Sequence, residues 1–296
     1  MQILLLSLFM KETIKKYKFK DGLQLEFEIL DLAQTFQSKK EMMTVPHRAQ
    51  FYHIVWIEKG EGTHIVDFKS ICLEDQTLVF IPSNSVNIFD KAGVYEGKAI
   101  VFTDSFFCKN KQDIQFLHSS MLFSDMYPIA KLKLHPQASE LKVFFNAMET
   151  EFQREPDSGQ YSILHNMLHI FLLQAERVMR KQGFEDLKPC VHLDNLLLFK
   201  DLLEQNFRKE KAVKNYASEL NLSEKQLHKV CTSLLDKTPK QIIDERIILE
   251  AKRLLSHSNQ SIKEVAYELG YDEPTNFIKY FRRHTNSTPS DFRDHF

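Results

Sequence analysis

Val213 to Leu222 (VKNYASELNL) returns 49 residues later as Ile262 to Tyr271 (IKEVAYELGY). One inserted residue further on, Leu227, Lys229, Val230 and Cys231 are matched by Phe277, Lys279, Tyr280 and Phe281, and both copies then reach Thr-Pro, at Thr238-Pro239 and Thr288-Pro289. A repeat of this length marks a supersecondary unit used twice. Each copy reads as helix, tight turn, helix. Ala217 and Ala266 are small where two helices must approach, and Asn221 and Gly270 fall at the turn, where a left-handed backbone favours these residue types. Ser223 with Gln226 and Ser261 with Glu264 have capping-box spacing, and Thr238 and Thr288 each precede a proline suited to the first helical position. The two units are expected at about residues 212–235 and 261–284.

The second helix of each copy has two faces. Leu227, Val230, Cys231 and Leu234 turn inward, so Lys225, His228, Lys229 and Thr232 turn out; in the other copy Phe277, Tyr280 and Phe281 turn inward, leaving Pro274, Thr275, Ile278, Lys279, Arg282 and Arg283 toward the exterior. Cations, hydroxyls and one apolar group at helical spacing suit reading of a major groove. A single such helix is as well explained by a solvated face; two at matched positions, with matched caps and turns, favour double-stranded DNA. Between the copies, Pro239 to Leu255 contains no breaker. Its seventeen residues span roughly 25 Å at about 1.5 Å each. Such a spacer suits two recognition helices entering successive major-groove faces about 34 Å apart.

Upstream the pattern changes twice. From about Glu12 to Phe107 it is strand-like: Phe51 to Ile57, then Gly60-Glu61-Gly62 as a hairpin turn, then Thr63 to Phe68, with further strands at Leu78 to Ile81 and Lys98 to Phe102. Short strands so spaced suggest a barrel or sandwich. From Pro136 to Lys181 the period is helical, with stripes Leu141, Phe144, Phe145, Met148, Phe152 and Ile163, Leu164, Met167, Leu168, Phe171, Leu172, separated by Pro156 to Gly159. Gly183 to Pro189 is polar and punctuated, as a linker would be. The expected architecture is α+β and multidomain: a β-barrel with a helical hairpin over 10–182, a linker over 183–192, and an all-α domain of two helix-turn-helix units joined by a long helix over 193–296.

Bulk properties bound this reading. With 43% apolar and 27% charged residues the chain has the composition of a folded protein. Its net charge is −1, and residues 190–296 carry 17 Lys and Arg against 16 Asp and Glu, so any affinity for nucleic acid depends on where the charges sit. Cys72, Cys108, Cys190 and Cys231 are far apart, which argues against a disulfide framework or structural zinc and points to the reducing cytoplasm. Met1 to Phe9 is apolar but lacks a basic n-region and a cleavage site, and is too short to span a bilayer; Met10 is the expected natural start.

The run from Ser261 to Tyr271 with Phe277, Phe281, Thr288-Pro289 and Phe292-Arg293 resembles the signature of AraC/XylS bacterial regulators. The resemblance covers about residues 193–296. It implies a transcriptional regulator, not an enzyme, whose base-contacting positions fall on Lys225, His228, Lys229, Pro274, Thr275, Ile278 and Lys279. It also implies a homodimer with RNA polymerase as a further partner. The amino-terminal half, through Pro46-His47-Arg48, the Phe51 to Gly62 stretch and Pro82 to Asn87, resembles the cupin-type sensor barrel often joined to this unit. Enzymatic cupins hold a metal with a His-x-His pair, a Glu and a later His. Here Ala49 follows His47 and Asn87 stands at the late position, so neither metal nor other cofactor is expected. What remains is a pocket for a small-molecule effector, a sugar or related metabolite. Its candidate lining is His47, Phe51, His53 and Lys59, which share strand parity, with Asn87 and Phe89; each is also readable as plain core. Two alternatives carry less: a cupin enzyme with a DNA-binding tail, and an alkyl-acceptor regulator using Cys190, which has no neighbouring ligands to activate its thiol.

Limited proteolysis is expected to cut the linker and release a fragment beginning near residue 185–192 that still binds DNA. A single uncut cooperative unit would count against the domain division.

Overall fold

The computed structural model describes residues 15–17, 19, 25–124, 128–134, 140–183 and 191–295. Met1 to Phe9, Cys190 and most of the expected linker lie outside them, and Val191 and His192 at its end already belong to a helix. The chain divides into two compact units, one of Lys16–Asp186 and one that includes Leu187–Phe296. The first combines an antiparallel sheet with helices, and the described residues 191–295 of the second form helices and their connections, an α+β, two-unit chain.

In the first unit the strands are β1 (Lys15–Tyr17), β2 (Phe27–Asp31), β3 (His47–Ala49), β4 (Tyr52–Val66), β5 (Lys69–Leu73), β6 (Thr77–Ile81), β7 (Val86–Phe89), β8 (Val94–Phe102) and β9 (Lys131–Lys133). They form one sheet of order β1-β3-β7-β4-β6-β9, with β8 and β5 also on β4 and β2 on β8. No pairing among the described residues joins β9 back to β1, so the sheet is open where a barrel was expected.

Strand β4 departs most from the expectation. Gly60-Glu61-Gly62 is not a turn: β4 runs through it without interruption for 15 residues. Gly60 has φ +130°, and a side chain there would overlap the Val94 carbonyl; one on Gly62 would meet the Tyr95 ring. These glycines admit the close approach of β8. The reversal comes later, at Asp67 and Phe68, both with positive φ, as a two-residue hairpin requires. Between Ile57 and Lys59 the register with β8 slips by one residue. That bulge exchanges the faces of everything beyond it.

One face of the sheet, with Tyr52, Ile54, Trp56, Phe80 and Phe102, packs on α4 (Glu140–Phe152) and α5 (Gln160–Lys181) through Phe145, Leu168 and Phe171. The opposite face carries Val55, Ile57, Val66, Phe89 and Tyr95, together with Leu32, Phe36 and Met43 of α1 (Leu32–Met43). Helix α1 lies in a zone expected to be all strand; Asp31 caps it by accepting from the Gln34 amide at 2.7 Å. Two more helices, α2 (Asp104–Phe107) and α3 (Lys111–Ser119), follow β8. Of the expected α5 stripe, Ile163 is exposed and Met167 is only partly buried.

The second unit holds α6 (Val191–Asn206), α7 (Val213–Glu219), α8 (Glu224–Leu235), α9 (Pro239–His257), α10 (Ile262–Glu268), α11 (Pro274–Thr285) and α12 (Pro289–Asp294). Ser223 with Gln226, Thr238 with Gln241, Ser261 with Glu264 and Thr288 with Asp291 all form capping boxes. Helix α9 buries Ile243, Ile247, Ala251 and Leu255 completely and touches α8, α10, α11 and α12. Two turns match: Asn221 has φ +55° and Gly270 φ +72°. Gly270 carries a second constraint, since a methyl group there would overlap the Arg208 carbonyl oxygen. Lys211 closes that contact by donating to the carbonyls of Gly270 and Arg208, both at 3.1 Å.

Gly270→Ala must therefore absorb both a left-handed backbone and a backbone collision, and is expected to cost about 2–4 kcal/mol. Asn221→Ala, which meets only the first, should cost about 1 kcal/mol. Thermal melts followed by helical circular dichroism check both. Trp56, the single tryptophan, lies in the other unit and should report no change.

Candidate functional site

The two helix-turn-helix units sit on one scaffold. Glu250 of α9 is fully buried and accepts from Arg208 at 3.0 Å, Arg253 at 3.2 Å and Arg246 at 3.3 Å. Arg246 also holds Glu204 of α6 through two hydrogen bonds, of 2.5 and 2.7 Å, with its guanidinium 3.9 Å from the Phe207 ring. One turn and a half earlier on α9, buried Asp244 accepts from the Tyr280 hydroxyl at 2.7 Å and pairs with Lys240 at 2.8 Å. Burial, then the Asp244 hydrogen bond, pushes the Tyr280 phenol well above its ordinary range. Tyr280 is therefore a tether between the second recognition helix and the spacer rather than plain core.

On this frame α8 presents Lys225, His228 and Lys229 to solvent, while Leu227, Val230 and Cys231 are buried beneath them and Leu234 is half-buried. Thr232 is half-buried, and its hydroxyl donates to the His228 carbonyl at 2.8 Å, so that proton is already used. On α11, Thr275, Lys279, Arg282 and Arg283 are exposed and Pro274 and Ile278 half-exposed, above fully buried Phe277 and Phe281. Asn276 was missed by the sequence reading. It is exposed on the first turn of α11, one residue past Thr275, and an amide can pair both adenine edge atoms at once. Its place one residue before the first buried phenylalanine was the available signal.

In the sheet unit the registers gather a second group of residues. His47 lies opposite Asn87, Asn87 also lies opposite Val66, His64 lies opposite Phe89, and His53 lies opposite Ile81. His47, His53, His64 and Asn87 thus share the face of Val55, Ile57 and Val66. The His64 ring stacks on Phe89 with centroids 3.9 Å apart, and Phe51 lies 4.8 Å from His53. Lys59 does not join them: the bulge turns it to the outer face opposite Glu96, and it is exposed. The shared parity expected of it fails for that reason. His64 takes its place, hidden from the sequence reading by the turn assigned to Gly60-Glu61-Gly62.

His64 has no exposed surface and its polar neighbour is the Asn87 side chain, a contact that partly offsets the lowering of its pKa but falls short of a full hydrogen bond; His53 Nδ1 is unsatisfied. Each such group costs about 1–3 kcal/mol. Burial, reinforced by the neighbouring imidazoles, lowers the pKa of His53 to about 3 and that of His64 to about 3, and burial also lowers that of His47. Among the described residues no group of three or more His, Cys, Asp or Glu is placed to hold a metal ion. No helix there is long and apolar enough to cross a membrane.

Residues 216–295 match the family model described as a helix-turn-helix domain. The chain is similar to the HTH-type transcriptional activator RhaS of Shigella sonnei, 24% identical over 253 residues that cover 83% of this chain and 86% of that protein. Among solved structures it is similar to an AraC-type transcriptional regulator from Chromobacterium violaceum (24% identity, 34% of this chain and 91% of that one, TM-score 0.32). It is also similar to ToxT from Vibrio cholerae (14% identity, 91% and 94%, TM-score 0.44). The chain is a DNA-binding transcriptional regulator whose helix-turn-helix domain, at the carboxyl end, is of the AraC type. It is a regulator and not an enzyme.

The buried imidazoles make a pH dependence with a definite sign. They are neutral when folded, while the unfolded chain takes up protons near pH 6.5. Their contribution is complete above pH 6.5 and is lost as pH falls from there toward 3. At pH 5 one such group should have cost about 2 kcal/mol. The unfolding midpoint read by Trp56 fluorescence should fall accordingly between pH 7 and 5, and less steeply in His64→Leu.

Proposed function

We propose that this protein controls transcription by reading DNA in tandem through α8 and α11, under the control of a small molecule bound in the sheet unit. The observation that carries the reading is the pair of exposed polar helix faces held on one spacer by buried carboxylates. Lys225, His228 and Lys229 are donors for guanine or adenine edges, with Thr232 beside them. On α11, Thr275, Asn276 and Ile278 face the bases, Pro274 opens the helix, and Lys279, Arg282 and Arg283 anchor phosphates. His47, Phe51, His53, Asn87 and Phe89 line the effector site, whose unsatisfied groups await a partner. A sugar or related metabolite suits it.

Residues 10–182 serve as the sensing and dimerising domain, 183–192 as linker and 193–296 as DNA-binding domain. A homodimer fits this reading: Val143 on α4 and Ile163, Ile170 and Leu173 on α5 are exposed apolar side chains, and two copies supply two tandem readers. The protein works in the cytoplasm, at promoters beside RNA polymerase.

The first helix should carry most of the base discrimination. Lys229→Ala is expected to cost about 1–3 kcal/mol on the preferred site and relax preference at one base pair. Arg282→Ala should weaken preferred and scrambled DNA nearly alike and make the salt slope shallower by about one unit. Titrations on both duplexes at several salt concentrations separate these outcomes. A change in base preference from Arg282→Ala, with uniform weakening from Lys229→Ala, would reverse the assignment.

A further inference from the structure

Two adjacent residues of opposite charge, Glu210 and Lys211, hold the loop between α6 and α7 from opposite sides. Glu210 ties it to the first helix-turn-helix unit. Its carboxylate accepts from the Lys211 amide at 2.8 Å, the Ala212 amide at 2.6 Å and Asn215 Nδ2 at 2.5 Å, and its carbonyl accepts from the Tyr216 hydroxyl at 3.0 Å. Ala212 precedes α7 without a capping side chain of its own, so Glu210 supplies the cap. Lys211 turns the other way, to the second unit. Its ammonium donates to the Gly270 carbonyl at 3.1 Å and lies 4.7 Å from the centre of the Tyr271 ring.

These contacts close into a ring. Tyr271 packs on Tyr280 with centroids 5.5 Å apart, Tyr280 donates to Asp244, Asp244 pairs with Lys240, and Lys240 donates back to the Lys211 carbonyl at 3.4 Å. The ring passes through the loop before α7, the turn before α11, α11 itself and the spacer α9. Rotation of α11 about the spacer breaks a contact on one side or the other, so the ring locks the two readers in one relative setting. The internal repeat shows that a helix-turn-helix unit does not itself require such a link. Gln260 stands at the position of Lys211 in the second copy, and its amide donates to Glu268 of its own unit at 2.5 Å. In the first copy this residue crosses to the neighbouring unit instead.

One base pair inserted between two half-sites moves them about 3.4 Å apart and turns them by about 35°. A locked pair of readers cannot follow that change, whereas a hinged pair can. We infer that Lys211 is a positioning residue that fixes the half-site spacing this protein accepts, so that DNA sites are selected by separation as well as by bases. This rests on the reading of α8 and α11 as tandem readers.

The test uses the full chain to enrich duplexes from a random-sequence library, then titrates the enriched duplex with one base pair added or removed between its motifs. For each protomer bound, wild type is expected to enrich a pair of motifs at one separation and to lose about 10-fold or more in affinity on either change. Lys211→Gln gives the first copy the residue of the second. It should enrich the same motifs over several separations and lose about 3-fold or less. Its salt slope should match wild type, because the Lys211 ammonium is engaged by carbonyls and not by phosphate. Lys211→Arg, which keeps cationic donors, should restore the single separation, and Lys209→Met, which removes an exposed neighbouring charge, should keep it. If helical circular dichroism shows that Lys211→Gln has lost its fold, Tyr280→Phe opens the same ring at Asp244 and carries the same expectation. A single sharp separation in the folded variant overturns the inference and leaves tandem reading intact, as does a pair of motifs at variable separation in wild type. A salt slope shallower by about one unit in Lys211→Gln makes Lys211 a phosphate contact and overturns the inference as well. Enrichment of one motif alone by wild type removes the tandem reading, and the inference with it.

Discussion

The DNA-binding unit depends on a charge that water does not reach. Glu250 of α9 is fully buried, and three arginines converge on it. A carboxylate in that position is tolerable only if every partner stays in place, because removing one member leaves an uncompensated buried charge worth several kcal/mol. The cluster therefore specifies geometry more than it adds stability. Arg208 and Glu204 come from the chain leading into the first unit, so the spacer cannot rotate relative to α6 without stranding them. Asp244 imposes the same condition on α11 through Tyr280. The Arg208–Gly270 backbone contact closes the third side, joining the entrance of one unit to the turn of the other. Two recognition helices fixed to one another lose little further freedom when they meet a groove, which is how preorganisation turns contacts into affinity.

The same pairings account for a DNA-binding unit of almost zero net charge. Glu204, Asp244 and Glu250 are spent on arginine, lysine and tyrosine within the unit, and Glu264 and Asp291 on helix caps. The lysines and arginines of α8 and α11 remain outward. Net charge counts all of these equally, whereas a phosphate backbone meets only the outward set.

What the sequence revealed and what it concealed divide along the range of the interactions. Caps, turns and amphipathic faces are set within four residues, so Ser223 with Gln226, the left-handed Asn221 and Gly270, and the exposed Lys225, His228 and Lys229 could be read directly. The tether at Tyr280 could not, because its partner stands 36 residues away and a tyrosine at an inward position looks like core. In the sheet unit Gly60 and Gly62 carry the usual marks of a turn, and only the approach of β8 shows that they serve contact. That misreading split β4 in two and hid His64, while the bulge between Ile57 and Lys59, which no local signal marks, put Lys59 on the wrong face. Helix α1 was hidden differently: its buried Leu32, Phe36 and Met43 are too sparse among polar residues to outweigh the strands on either side.

The two units handle buried polarity in opposite ways. In the helical unit the buried charges are paired, which suits a reader whose shape must not change. In the sheet unit the buried His64 and Asn87 side chains meet one another in geometry short of a full hydrogen bond, and burial holds the imidazoles uncharged. Such an interior is less stable alone than an apolar one of the same shape would be, and a ligand that paired these groups would offset that cost. A ligand that satisfies these groups binds only the folded sheet unit and stabilises it in proportion to the logarithm of its concentration over its dissociation constant. On the proposed reading of the sheet unit, buried polarity in the core is the physical form that sensitivity to a small molecule takes.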